Sequence, residues 1–371
     1  MSSSQMPAVT KAIVMRKSQR KPVYHDTVLE ERPLPALQKG QVLVKVAAAG
    51  FNHRDVWIRQ GQYPNIRFGS VMGSDAAGTV IAAADSNDPL LNKRVFLVPM
   101  RGWEQHPDAP ESSDFTIMGG SGPIPIGAFA QHIVVERDQV IPTPSHLSDE
   151  HIAAWPVGGV TAWRAAIVNA RVQKGDNVLV TGIGGGVALL AMQFCLARGA
   201  NVYVTSGSEE KIRKAVALGA KAGVSYKADN WPAQLAKILQ SNSSSSAPNA
   251  ALLSAIIDSG GGDLTVKVNK ILKPGGRVAV YGMTAYPTMS FTMREVLKNQ
   301  QLIGSTMGSH QDLIDATNFI AEHRIVPVVS HIIDGLEAAE EGFELIKKGE
   351  QFGKVVIRIG NGRVTGERAK L

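Results

Sequence analysis

Asn177-Val-Leu-Val-Thr-Gly-Ile-Gly-Gly-Gly-Val-Ala188 decides how this chain folds. Four residues of strand-forming type run straight into clustered glycines. An apolar, helix-compatible stretch, Val187 to Ala197, follows at once, and then a second apolar run, Val202-Tyr-Val-Thr205. The unit reads strand, tight turn, helix, strand over roughly 30 residues, the length of a dinucleotide-binding crossover. A pyrophosphate must come close to the backbone there, and a β-carbon would block it. The helix start offers unpaired N–H groups and the positive end of its dipole. Gly182, Gly185 and Gly186 are assigned to the turn and the approach, and Ala188 to the close packing of helix on strand. Glycine turns also merely connect elements; the flanking strand and helix favour the nucleotide reading.

The second strand ends in Thr205-Ser-Gly-Ser-Glu-Glu-Lys211. NAD-selective sites commonly place a carboxylate at that strand end, on the ribose 2′-hydroxyl. Ser206 stands there instead. A carboxylate would repel a 2′-phosphate, whereas a serine-rich pocket beside the Lys211 ammonium accepts one through charge-assisted bonds. NADPH is the expected cofactor. Two other readings stay open. Ser208 and Lys211 have the pattern of a capped helix start, and Glu209 or Glu210 turned toward the ribose would suit NADH.

A chain of 371 residues, 44% of them hydrophobic, has room for two domains and a sizeable core. The single cysteine, Cys195, excludes a disulfide framework and any multi-cysteine zinc site. It falls among Leu189, Leu190, Met192 and Phe194, where a core thiol is expected. The net charge of +7 is dispersed, apart from Arg16-Lys-Ser-Gln-Arg-Lys21. Dispersed basicity suits a solvated surface and a long-range pull on phosphorylated ligands. No aromatic-rich basic stripe points to nucleic acid. No apolar run is long enough to span a bilayer, and Met1 to Met6 lacks a hydrophobic signal core. Residues 10–21 are basic and free of acids, as a mitochondrial presequence would be, but Lys11 to Met15 reads better as the first strand. A cytoplasmic enzyme is expected.

Residues 10–145 read as short strands punctuated by Pro and Gly: Ala12 to Met15, Gln41 to Ala47, Ala76 to Ala82, Arg94 to Val98 and Ala128 to Val135. From about 150 the pattern alternates. Strands are expected at 177–181, 201–205, 222–226, 254–258, 276–281 and 301–305, with helices at 187–198, 209–218, 231–240 and 263–272. Six parallel strands alternating with helices make an α/β, doubly wound sheet. Helices Gln311 to Glu322 and Glu337 to Lys348 and a strand Lys354 to Ile359 exceed what that sheet needs, and are expected to return to the first domain. The run Ser241 to Pro248 reads as a mobile connection rather than a domain linker.

These segments together resemble the medium-chain dehydrogenase/reductase superfamily over about residues 10–360. The resemblance is carried by Gly40-Gln-Val-Leu-Val-Lys-Val46, Gly50-Phe-Asn-His-Arg-Asp55, Gly73-Ser-Asp-Ala-Ala-Gly78, Gly158-Gly-Val-Thr-Ala-Trp163, Leu272-Lys-Pro-Gly-Gly-Arg-Val278, Gly304-Ser-Thr-Met-Gly308 and Phe352-Gly-Lys-Val355. It implies a groES-like catalytic domain (1–147), an inserted Rossmann NADP-binding domain (148–308), a C-terminal return (309–371) and a homodimer. It also implies zinc-ligand positions at Asn52, Ser74 and Val157, none of which offers a zinc donor of the usual kind. No four-cysteine loop occurs in 100–122. Zinc is therefore expected to be absent. Asn52-x-x-Asp55 with Arg59-Gln-Gly-Gln-Tyr-Pro64 resembles the zinc-free quinone oxidoreductase branch, whereas the longer 100–125 loop resembles zinc-type alcohol dehydrogenase-like proteins.

Without a Lewis acid, a substrate must spread the incoming charge itself, as quinones and α,β-unsaturated carbonyls do. NADPH-dependent reduction of such a small molecule is the expected activity. By resemblance, Asn52 lies near the substrate carbonyl and Tyr63 is the nearest hydroxyl proton source. Asp55 is expected to order its loop and His53 to lie at the surface. Trp103, Phe129 and Trp155 are expected in the core. The resemblance further places Thr161, Gly182, Gly185, Gly186 and Val187 on the nicotinamide and pyrophosphate, and Ser206, Lys211 and Tyr226 around the adenosine phosphate. It places Asp258, Tyr281 and Gly282 at strand ends facing the ligand, Ser305, Thr306 and Met307 on the carboxamide, and Lys354 close by. Two other functions fit the same residues: a metal-free NADP-dependent aldehyde or alcohol dehydrogenase, and an NADPH-binding redox sensor or structural protein.

Overall fold

Pairing of the strand Asn177–Val180 organises one half of the molecule. The computed structural model describes residues 6–243 and 249–359. Asn177–Val180 is buried along its length, between Asn201–Ser206 and Leu253–Asp258. The whole sheet runs Ala222–Ser225, Asn201–Ser206, Asn177–Val180, Leu253–Asp258, Leu272–Val280, Gln301–Gly304, all parallel. The first strand in sequence lies in the middle, so the order reverses there, and such a reversal opens a crevice at the carboxyl ends. Both faces are covered, which is why the inner strands are near-continuous runs of Val, Leu and Ile. Helix Gly186–Ala197 buries Leu189, Leu190, Met192, Phe194 and Cys195. Burial pushes the Cys195 thiol up to about 12, so it is an unreactive core group.

Local expectations change in places: the strand expected at Ala128 to Val135 is His132–Glu136. The helix expected over 263–272 is only Leu264–Val268, and the next strand begins at Leu272. Pro274-Gly275 has the look of a turn. It forms a bulge within the strand, between Leu272, paired with Leu253, and Arg277, paired with Ala255, with Gly275 at φ +70° and Gln300 Nε2 donating to the Leu272 carbonyl at 2.9 Å. The stretch after 148, unassigned from sequence, forms helices Asp149–Ala153 and Pro156–Trp163 and a π-turn at Arg164–Asn169. Gly158-Gly159 hid the second helix. Gly159 is there for packing, since a β-carbon on it would lie 2.6 Å from the Trp155 ring.

The other half is built on strand Gln41–Gly50. One edge pairs with Asp75–Ala83. The other pairs with His132–Glu136 near its start and with Lys354–Arg358 near its end. The C-terminal strand thus returns to the first half, and Val329–Asp334, unforeseen from sequence, lies parallel beside it. Asp26–Pro33, paired antiparallel with Val9–Arg16, was also hidden, because its polar, half-exposed residues give no strong strand signal. Phe51, Phe129 and Phe343 meet at ring-centroid distances of 4.6, 5.2 and 5.9 Å and anchor this core. Trp103 and Trp155 are buried as well. Residues 244–248 of the Ser241–Pro248 run lie outside the described residues, as do residues 1–5 at the start of the chain. The pairing of Lys354–Arg358 with Ala48–Gly50, reinforced by Phe51 N donating to the Val355 carbonyl at 2.9 Å, delivers Lys354 beside Asn52.

Candidate active site

A cavity of about 540 Å³ lies between the carboxyl ends of the parallel strands and the β-rich half. The glycine turn forms one wall. Gly182 and Gly184 take φ of +62° and +127°, which side-chain-bearing residues rarely adopt. A β-carbon on Gly185 would have nothing within 4 Å, so this residue faces open space. A β-carbon on Gly186 would meet Lys354 Cδ at 2.6 Å. The glycine read as a phosphate approach therefore also makes room for a lysine from the other half. Gly353 N donates to the Gly184 carbonyl at 2.8 Å and Lys211 Nζ to the Gly349 carbonyl at 2.9 Å. Residues 349–354 thus strap the turn in place.

At the far end, Ser206 Oγ accepts the Ser208 N–H at 3.2 Å and Ser208 Oγ accepts the Lys211 N–H at 3.4 Å. Both sequence readings of Lys211 coexist, because it sits on a capped first turn and still lines the cavity. Desolvation lowers its pKa. Glu210 pairs with Lys214 at 2.7 Å, and no carboxylate stands at the strand end. A β-carbon on Gly207 would lie 2.7 Å from Tyr226 Oη and 3.0 Å from Lys227 Cε. Lys227 is a second cationic side chain here that sequence reasoning missed. An open glycine, a helix N-terminus and a serine-lysine-tyrosine end fit a dinucleotide.

The opposite wall carries a buried polar network. Lys354 Nζ donates to Asn52 Oδ1 at 2.7 Å and to Asp75 Oδ2 at 2.9 Å. Asn52 Nδ2 donates to the same Asp75 oxygen at 2.8 Å, and Val157 N–H to Asp75 Oδ1 at 2.8 Å. Asp55 Oδ2 accepts the Asn52 N–H at 2.8 Å and so orders the loop, as expected. Arg54 is buried beneath the loop. Its guanidinium donates to Ser74 Oγ at 2.5 Å, to Ser121 Oγ at 2.6 Å and to the carbonyls of Met118 and Gly119 at 2.9 and 3.0 Å. Its Nε lies 3.4 Å from Tyr63 Oη, and its charge sits 4.8 Å above the Tyr63 ring. His53 faces the cavity beside Trp57, with a pKa lowered by desolvation and then by the Lys354 charge.

Sequence comparison agrees with this architecture. A profile described as Alcohol dehydrogenase GroES-like domain matches residues 38–145, and one described as Zinc-binding dehydrogenase matches residues 186–322. A zinc-type alcohol dehydrogenase-like protein, YogA, of Leptosphaeria maculans is 39% identical over 93% of this chain and 98% of its own. The chain belongs to the medium-chain dehydrogenase/reductase superfamily. It is an oxidoreductase of that superfamily. An acryloyl-coenzyme A reductase of Metallosphaera sedula is 26% identical over 88% of this chain and 93% of its own. The crystal structure of an NAD-dependent alcohol dehydrogenase superposes with a TM-score of 0.80 at 30% identity, over 94% of this chain and all of that one.

The resemblance implies zinc-ligand positions at Asn52, Ser74 and Val157, and the residues there do not fit a zinc ion. Val157 is apolar. Ser74 Oγ is spent on Arg54 and on the Met118 carbonyl at 2.8 Å. The Asn52 oxygen already accepts from an ammonium. Among the described residues no group of three His, Cys, Asp or Glu side chains could hold a metal ion.

Of the residues singled out from the sequence, Asn52, Tyr63, Thr161, Gly182, Gly185, Gly186, Val187, Ser206, Lys211, Tyr226, Tyr281, Gly282, Thr306, Met307 and Lys354 line the cavity. Asp258 and Ser305 are not among its lining residues. Asp258 is buried, accepting from Thr181 Oγ1 at 2.5 Å and from the Gly261 N–H at 2.8 Å, so it builds the turn behind the site. Ser305 is held by its N–H on the Val280 carbonyl at 2.8 Å, continuing the sheet edge. His53 is exposed, as expected, and also lines the cavity. Asp75 and Arg54 organise the polar wall of the cavity, although neither was singled out as a site residue from the sequence. Their only signal was their place within Gly73 to Gly78 and Gly50 to Asp55.

Proposed function

We propose that this protein is a zinc-independent, NADPH-dependent reductase of α,β-unsaturated carbonyls or quinones. One observation carries the reading: where the superfamily gathers metal ligands, a lysine ammonium lies between an amide oxygen and a carboxylate. Such a site offers hydrogen-bond donors and positive charge but no Lewis acid. It suits substrates that delocalise charge onto a distant oxygen. The acryloyl-coenzyme A reductase relative supports conjugated substrates. Ser206, Lys211, Tyr226 and Lys227 would hold the 2′-phosphate end, and Gly182, Gly185 and the N-terminus of helix Gly186–Ala197 the pyrophosphate. Thr161 and Met307, whose Oγ1 and Sδ lie 3.8 Å apart, would flank the nicotinamide. When bound, the reduced nicotinamide supplies a hydride. Tyr63 is then the proton donor, with its hydroxyl oriented by Arg54.

A panel of enones, quinones and aldehydes with NADPH and NADH, run beside metal analysis, tests the proposal. Expected are turnover of conjugated substrates, preference for NADPH and no stoichiometric zinc. Zinc whose removal abolishes activity would overturn it, as would turnover of aldehydes alone.

We also assign the chain to the cytoplasm as a homodimer. Among the described residues no helix is long and apolar enough to cross a membrane. The edge strand Gln301–Gly304 borders exposed Met293, Val296 and Leu297, an apolar face suited to a second copy. Sedimentation should show a dimer that Leu297→Glu dissociates.

A further inference from the structure

We infer that Lys354 is the electrophile of the reaction: its ammonium binds the substrate's carbonyl oxygen and stabilises the negative charge that reduction places there. The inference rests on the reductase reading above and gives Lys354 a role in place of the cofactor binding expected from the sequence. Two of its three N–H bonds are fixed, on Asn52 Oδ1 at 2.7 Å and Asp75 Oδ2 at 2.9 Å. The third remains for a ligand, and the residue lines the cavity. Its side chain is only 6% exposed, so water competes little for that bond. The stem lies against Gly186, where even a β-carbon would come within 2.6 Å, so the ammonium cannot swing away. Asn52 is correspondingly less free than its sequence suggests. Its oxygen accepts from Lys354 and one amide N–H goes to Asp75, so it mainly orients the lysine. Asp75 spreads its charge over Lys354, Asn52 and the Val157 N–H. The resting site is near neutral, and a new anion finds a preorganised cation in a poorly hydrated place.

The electron count closes with the cofactor class already proposed. Hydride from the reduced nicotinamide joins the substrate's β-carbon. The electron pair of the carbon–carbon double bond moves through the conjugated system to the oxygen, facing Lys354. One proton from Tyr63, replenished from solvent, reaches the α-carbon. The substrate is reduced by two electrons, the nucleotide is oxidised, and Lys354 keeps all its protons.

The test uses Lys354→Met, Lys354→Arg and the double variant Lys354→Met/Asp75→Asn, which removes both buried charges and so guards against misfolding. Three quantities are read: NADPH affinity by cofactor fluorescence, turnover of an enone, and binding of p-nitrophenolate, a non-reducible enolate mimic, to the NADP⁺ complex. Expected for Lys354→Met and the double variant are parental NADPH affinity, loss of phenolate binding and about 100-fold slower enone turnover. Lys354→Arg should recover part of the phenolate binding. NADPH affinity lost in step with turnover, with phenolate binding intact, would overturn the inference and leave Lys354 a cofactor ligand. If the parent protein reduces no conjugated carbonyl yet binds phenolate through Lys354, the reductase reading fails and the assignment of the oxyanion site stands.

Discussion

Asp55 is fully buried, and one of its carboxylate oxygens has no hydrogen-bond partner. The nearest cation to that oxygen, Arg54, stands at 3.9 Å and is committed elsewhere. Desolvation therefore outweighs the attraction of Arg54, and the pKa rises from 3.8 to about 6. Between those values the folded chain holds a proton that the unfolded chain has released, so stability falls as pH rises through this window and levels off above it. Asp55→Asn should remove that fall. Its amide oxygen can still accept the Asn52 N–H, and at pH 7 the variant should gain on the order of 2 kcal/mol. Urea midpoints at pH 4 and pH 7 measure this, and an unchanged slope in the variant would contradict it. None of this was legible in the sequence. Asp55 read as a loop-ordering residue, which is right, but the setting of its second oxygen depends on Arg54, whose guanidinium is held by residues 117–121, far along the chain.

The strand–turn–helix element shows how far local sequence reaches. Its strands and its helix, and the glycine turn between them, were readable because each follows from a short-range pattern. What presses on the glycines was not, because Lys354 arrives through strand pairing 302 residues from Asn52. The two central glycines should therefore respond differently to alanine. At Gly185, with φ −74° and open space ahead, Gly185→Ala should leave the melting temperature unchanged and weaken NADPH binding by roughly tenfold or more, a cost of about 1.4 kcal/mol or above. At Gly186 the new methyl displaces the Lys354 stem, so Gly186→Ala should lose turnover and thermal stability together. Cofactor fluorescence and thermal melts on the two variants separate these outcomes, and equal behaviour of the pair would refute the distinction. The short helix Leu264–Val268 marks the opposite limit. Its Pro-Gly continuation is a bulge held between the paired residues Leu272 and Arg277, and that flanking pairing is what no local window reveals.

At the scale of the molecule, the 100–125 segment is a joint between the halves rather than a free flap. Glu111 gathers the N–H groups of Glu104, Gln105 and His106 at 2.8, 2.8 and 2.6 Å, which holds the carboxyl at about 2 and folds the loop tightly. The loop then docks on helix His310–Glu322, whose Leu313, Ala316 and Ile320 share a core with helix Gly186–Ala197 of the nucleotide half rather than returning to the first domain as the sequence suggested. Trp103 and Glu104 carbonyls accept the N–H groups of His310 and Gln311 at 2.8 and 2.9 Å, capping the start of helix His310–Glu322. Arg164 lies 4.3 Å over the Trp103 ring, pairs with Asp312 at 2.8 Å and donates to the Pro107 carbonyl. The length of the loop was visible in sequence; its destination was not, since Arg164 and Asp312 lie far from it along the chain. Trp103 is the keystone, 2% exposed, with its ring against Phe115 of its own loop on one side and Arg164 on the other. Trp103→Ala should cost about 3–5 kcal/mol by cavity formation alone. Because the lost contacts bridge the halves, their unfolding should also uncouple. Calorimetry should then resolve two transitions where the parent shows one, the lower belonging to the β-rich half. A single, merely lowered transition in the variant would mean that the active-site faces of the two halves suffice to couple them without the joint.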